Sequence, residues 1–188
     1  MKHPTAKTAP EDLSLYEFLG HIQVYHSAKA TFYAPSDLCG SGGLCWETIY
    51  LTPYFRGGPR RDTIFIERDA EKFGMEGMDV AWVWLFFSFS MERKTYSCAL
   101  ISWFLHDQDS GPDEDTGMWE VELEHVDGCS PVEVIHLDSI VHGAHLLLIY
   151  GQSVVPPHFK YSETLDSYQS FFVNHFVDHH AHELIVTT

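Results

Sequence analysis

Between residues 79 and 105 the chain reads DVAWVWLFFSFSMERKTYSCALISWFL, two apolar runs separated by a polar break at 91–94. Apolar residues on consecutive positions predict strands buried on both faces, and the break predicts a hairpin. Residues 21–34, HIQVYHSAKATFYA, place Ile22, Val24, Ala28, Ala30 and Phe32 on alternating positions. That is strand periodicity, with a helix left open for the first half. TIFIER (63–68) is a short β-rich run, and MWEVELEH (118–125) alternates Trp119, Val121 and Leu123 with three glutamates, a half-exposed strand. VEVIHLDSIVHGAHLLLIYG predicts strands at 132–137 and 144–150 around a turn at 138–143. PSDLCGSGG, RGGPRRD and HDQDSGPDEDTG punctuate the strands as loops. After Pro156 and Pro157, the stretch SETLDSYQSFFVNHFVDHHAHEL predicts a helix over about 163–185, with Ser162 as its N-cap and Glu163 in its first turn.

These elements predict a mainly β (α+β) fold: a small antiparallel barrel or curled sheet with a C-terminal α-helix packed on it. Pro4 and Pro10 mark residues 1–14 as a flexible lead-in, leaving 15–188 as a single β-rich domain.

Composition narrows the function classes. Eleven Lys and Arg against 27 Asp and Glu give a net charge of −16, which repels phosphate backbones and makes any nucleic-acid binding weak at best. No apolar run reaches the roughly 20 residues that span a bilayer. The N-terminus lacks the apolar core of a signal peptide, so an intracellular protein without membrane contact is expected. In that setting Cys39, Cys45, Cys98 and Cys129 are read as reduced thiols, since none forms a C-x-x-C pair.

Seven words occur in order along the chain: FYAPSDLCGSGG, TPYFRGGPRRDTIFIE, LFFSF, CALISWF, PDEDTGMW, VIHLDSIVHGAHLLLIYG and DHHAHE. On these the chain resembles the C-terminal region of proteins encoded by basidiomycete Plavaka-like (CACTA-type) transposons, over about residues 20–185. The resemblance implies an accessory module lying after a transposase core, a nuclear location and no particular reaction; without it a cytoplasmic location is expected. The strand grammar is also similar, at the level of fold alone, to small barrels of the bromo-adjacent-homology type. The chain departs from the family-like pattern at Leu44, Cys45, Trp46, Thr48 and Trp82, where basic residues are common, and this weakens any inherited contact with DNA.

Two stretches offer chemistry. On a continuous helix His175, His179 and His182 share the face that carries Tyr168, Phe171, Phe172 and Phe176, with Asp178 and His180 on the flanks. Histidines at i, i+4 can chelate a metal, so His175 and His179 are candidate zinc ligands, completed by His142, His145 or a thiol. The H-E-x-x-H motif, however, needs a glutamate where Phe176 stands. The favoured reading is histidines hydrogen-bonded at a helix–sheet seam, with no cofactor and zinc as the alternative. Asp113, Glu114 and Asp115 read as a solvated acidic loop rather than a Mg²⁺ or Ca²⁺ site. The second stretch is Arg56, Arg60 and Arg61 beside Tyr54 and Phe55, a cation–aromatic patch suited to single-stranded nucleic acid or acidic peptides. Its competing reading is a turn whose arginines pair with carboxylates such as Asp62.

No phosphate-binding loop or hydrolase elbow is present, and no residue is assigned a catalytic role. The chain is therefore expected to be a non-enzymatic interaction module contacting protein, chromatin or nucleic acid. The alternatives are a metal-dependent hydrolase using the C-terminal histidines, or a structural remnant without activity.

Overall fold

The computed structural model describes residues 20–34, 43–107, 111–151, 158–160 and 163–186. The expected lead-in at 1–14, the Ser162 cap, Cys39 and most of the PSDLCGSGG loop lie outside them. The strands are β1 (Ile22–Tyr25), β2 (Ser27–Tyr33), β3 (Leu44–Phe55), β4 (Gly58–Arg61), β5 (Thr63–Glu67), β6 (Met78–Met91), β7 (Lys94–Leu105) and β8 (Glu120–Leu123). They continue as β9 (Glu133–His136), β10 (Ile140–Ala144), β11 (Leu146–Leu148) and β12 (Ser170–Val173). Two α-helices, α1 (Thr164–Ser167) and α2 (His179–Val186), and two 3-10 turns, Gly74–Glu76 and Leu137–Ser139, complete the described elements.

The apolar stretch of 79–105 forms the predicted hairpin of β6 and β7, paired from Val80↔Phe104 to Met91↔Lys94 with a one-residue shift between Val83 and Leu85. Its turn residues Glu92 and Arg93 both take positive φ (51° and 67°), the conformation that lets a two-residue turn follow the twist of the strands. The hairpin is long enough for each strand to carry two further partners. β6 pairs with β5 along one half and β1 along the other, and β7 pairs with β8 and β9 in the same way. The result is a nine-stranded antiparallel sheet of order β10-β5-β6-β7-β8-β12-β11, with β1 and β9 off this path; β2-β3-β4 form a separate three-stranded sheet.

The strands bury both faces, as continuous hydrophobicity demands. Ile64, Ile66, Ala81, Val83, Ala99 and Ile101 meet Ala30, Ile49 and Leu51 of the three-stranded sheet. On the opposite face Phe65, Val80, Trp82 and Phe104 pack with Val121, Phe171, Val173 and Ile185. Each of the buried Val, Ile, Leu and Phe side chains among these contributes about 1.5–3 kcal/mol by leaving water.

The sheet is curled and does not close into a barrel. β10 and β11 end the path, separated in sequence only by His145, so one bent segment supplies both ends without a ladder between them. The turn expected at 138–143 is shorter: a 3-10 turn at Leu137–Ser139 leads directly into β10.

The continuous helix expected over 163–185 is not formed. β12 interrupts it between the one-turn α1 and the two-turn α2. SFFV (170–173) satisfies helical and strand periodicity equally over so short a span, and two open ladders decide the matter. β8 pairs with β12 through Val121↔Phe171, and β11 pairs with it through Leu147↔Phe172. No helix among the described residues is long and apolar enough to cross a membrane.

Candidate functional site

The three-stranded sheet has a solvent face built by alternation. On β3, Ile49 and Leu51 turn inward, so Trp46, Thr48 and Tyr50 turn outward. On β2, Ala30 turns inward and Lys29, Thr31 and Tyr33 outward. The register sets Lys29 opposite Thr48 and Thr31 opposite Trp46. Cations and rings interleave across this face. The Lys29 ammonium lies 4.0 Å from the centre of the Trp46 ring, and the Arg60 guanidinium lies 4.5 Å from that of Tyr50. Trp46 is 62 % exposed, Tyr33 67 % and Tyr54 76 %. Single exposed aromatics are ordinary; here several share one small sheet.

Of the patch expected from sequence, Tyr54, Arg56 and Arg60 lie at the β3–β4 end of this sheet. Arg56 (φ 49°) and Gly57 (φ 100°) make the turn, with the Arg56 guanidinium 5.2 Å from the Phe55 ring. Arg60 grips Asp62 with two hydrogen bonds, Nε to Oδ1 at 2.7 Å and Nη2 to Oδ2 at 3.0 Å. The hydrogen bond to Asp62 raises the pKa of this guanidinium, so the arginine keeps its charge while being held in place over Tyr50. Arg61, next along the strand, sits instead over Trp84 at 4.8 Å. The structure thus brings Arg56 and Arg60 together on the Phe55 ring, at 5.2 and 5.3 Å, with Tyr54 adjacent in the chain, and separates Arg61.

Arg61 faces a cleft of about 440 Å³ bordered by Glu47, Asp62, Thr63, His142 and Asp178. A second cleft, about 640 Å³, opens beside Leu105, His106, Asp113, Glu120 and Glu122. There Asp113 spends its carboxylate on its own loop, accepting from Thr116 N and Oγ1 at 2.8 and 2.7 Å. Those hydrogen bonds hold its carboxyl below the usual range. Burial lowers the His106 pKa, only partly opposed by the charge of Asp79.

The terminal histidines do not share one helical face. His175 lies in the turn after β12, 4 % exposed, while His179 and His182 lie on α2 and are exposed. The pairing of His175 with His179 as metal ligands at i, i+4 therefore fails, because the continuous helix it requires is absent. The hydrogen-bonded seam is also revised: His175 Nδ1 is buried without a hydrogen-bond partner among the described residues. Its ring instead packs near Phe176 and His182, at 4.0 and 5.4 Å between centroids. Burial first, and the neighbouring His182 second, push its pKa down. Asp178 and His180, expected on the flanks, come together with His142 of β10, with ligand atoms all within 4.8 Å of one another.

No protein-family model, curated protein or solved structure matches this chain.

Lys29, Trp46 and Tyr50 were legible in principle as the outward positions of alternating strands. Unlike the arginines at 56, 60 and 61, they are scattered along two strands and form no local cluster. His142 with Asp178 and His180 carries no local signal, because the residues come from elements far apart in the chain.

Proposed function

We propose that the protein is a non-enzymatic interaction module that docks an acidic protein segment on the outer face of β2-β3-β4. The observation carrying this reading is the interleaving of Lys29 and Arg60 with exposed Trp46 and Tyr50, continued by Tyr54 and Arg56. Trp, Tyr and Arg dominate the residues that supply binding energy at protein interfaces. Three of the eleven Lys and Arg residues (Lys29, Arg56 and Arg60) stand on this face and its turn, so an otherwise acidic molecule presents a local cationic surface. A polynucleotide must approach against the net charge of −16, whereas a short acidic peptide meets mainly the local field. The resemblance to the accessory region of Plavaka-like transposon proteins supports a binding rather than a catalytic role, and a nuclear setting.

The test is a random-peptide display selection on the full chain, with counter-selection on a Trp46→Ala/Tyr54→Ala variant. Both rings are solvent-exposed, so the variant keeps its stability to within about 0.5 kcal/mol. Expected are peptides rich in Asp and Glu that lose about tenfold or more in affinity on the variant. Peptides that bind both proteins equally defeat the assignment of the face. A (dT)15 oligonucleotide that binds more tightly than any selected peptide defeats the choice of partner.

A further inference from the structure

We infer that His142, Asp178 and His180 form a binding site for a divalent transition-metal ion of the zinc class. His142 contributes its imidazole from β10, Asp178 its carboxylate from the residue that caps α2, and His180 its imidazole from the first turn of α2. All three ligand atoms lie within 4.8 Å of one another. A tetrahedral ion with bonds near 2.0–2.1 Å holds its ligand atoms about 3.4 Å apart. The cluster has to contract by up to about 1.4 Å to close on the ion.

His142 is prepared for such a role. A bulge between Ile140 and His142 shifts the register by one residue, so His142 stands opposite Phe65 rather than Ile64. Bulges of this kind re-aim a side chain. The ring is 4 % exposed, and its Nδ1 donates to the Gly143 carbonyl at 2.7 Å, with Glu47 Oε1 3.1 Å away. Glu47 is itself held by the Gly143 backbone N–H. A histidine whose Nδ1–H is committed to a carbonyl and a carboxylate has its tautomer set and offers Nε2 as ligand, the arrangement that outer-shell partners impose at metal sites. The edge of Phe32 holds both imidazoles, 4.5 Å from His142 and 5.1 Å from His180 between centroids.

Asp178 serves two ends. Its Oδ1 accepts the Ala181 N–H at 2.8 Å and caps α2, which leaves Oδ2 for an ion. The partial positive charge at the start of α2 opposes a cation, but the full charges of Asp178 and nearby Glu47 exceed it. Two imidazoles and one carboxylate suit zinc, cobalt or iron(II), whereas magnesium and calcium require more oxygen donors. Because His142 and Asp178 also border the cleft of about 440 Å³, the remaining coordination position faces that cleft. The site does not depend on the docking face proposed above.

The experiment uses the full chain without a histidine tag, stripped with chelator and titrated with Zn²⁺ by calorimetry at pH 7.5, with Co²⁺ absorption in parallel. Expected are one equivalent bound, visible ligand-field bands with Co²⁺, and a rise of about 5–10 °C in the thermal midpoint at zinc well above Kd. Asp178→Asn keeps the helix cap, since Asn caps as well as Asp, yet removes the charged ligand. It and His180→Gln should each weaken binding tenfold or more, while His175→Gln and His179→Gln leave it unchanged. Zinc binding that survives both ligand substitutions, or disappears with the two control substitutions, overturns the site. So does wild-type protein that gives neither a stoichiometric endpoint nor cobalt bands, however the variants behave.

Discussion

His175 shows how a single residue changes meaning with its surroundings. In sequence it belongs to a histidine-dense tail; in the fold it is a buried imidazole whose pKa lies below the ordinary 6.5 because of burial, and secondarily because of His182. The unfolded chain takes up a proton near 6.5 while the folded one resists it. This contribution to stability is therefore complete above about pH 6.5 and is lost as the pH falls through the depressed folded value. His106 is shifted in the same direction, again chiefly by burial. Acid also relieves the repulsion among the carboxylates, so the informative measurement is a difference. Between pH 7.5 and 5 the thermal midpoint of wild-type protein should fall by a few degrees more than that of His175→Gln. Equal slopes would mean that the ring titrates freely in the folded state.

Among the elements, β12 separates local from tertiary control. Phe171 is fully buried, and its ring meets that of Phe104 edge-on at 5.7 Å between centroids. Phe171→Ala should cost about 3–5 kcal/mol in denaturant unfolding, the range for a buried phenylalanine. A cost under about 1 kcal/mol would show that β12 does not close this core. The β6–β7 hairpin was legible because more than twenty mostly apolar residues with a single polar break admit one reading. SFFV was not legible, since four residues carry no decisive period and the ladders offered by β8 and β11 lie far off in sequence. The short strands flanking the hairpin fall between these cases: their alternation was readable, their partners were not.

For the molecule as a whole, charge is the governing quantity. A net −16 over 188 residues implies self-repulsion in the compact state, which salt screens over a Debye length of about 8–10 Å at physiological strength. Raising NaCl from 0.05 to 0.5 M should therefore lift the thermal midpoint by a few degrees, while the same salt weakens peptide docking on Lys29, Arg56 and Arg60. A midpoint that falls with salt would show that attractive ion pairs, such as Arg68–Asp79 at 3.2 Å, outweigh the repulsion. The cationic face and the acidic remainder answer salt in opposite directions, so the two effects are separable in one titration series.

The sequence by itself determined the β-rich class, the central hairpin and the cation–aromatic character around Tyr54, Arg56 and Arg60. Each depends on residues adjacent in the chain, where periodicity and composition act directly. Only the tertiary structure decided that the sheet curls without closing and that the expected helix is broken by a strand. Only it decided that Asp178 and His180, rather than His175 and His179, face His142. Those outcomes depend on which backbone groups find a ladder and on a bulge at residues 140–142 that turns one imidazole toward a helix beginning 37 residues further along. No local pattern encodes the meeting of such distant segments.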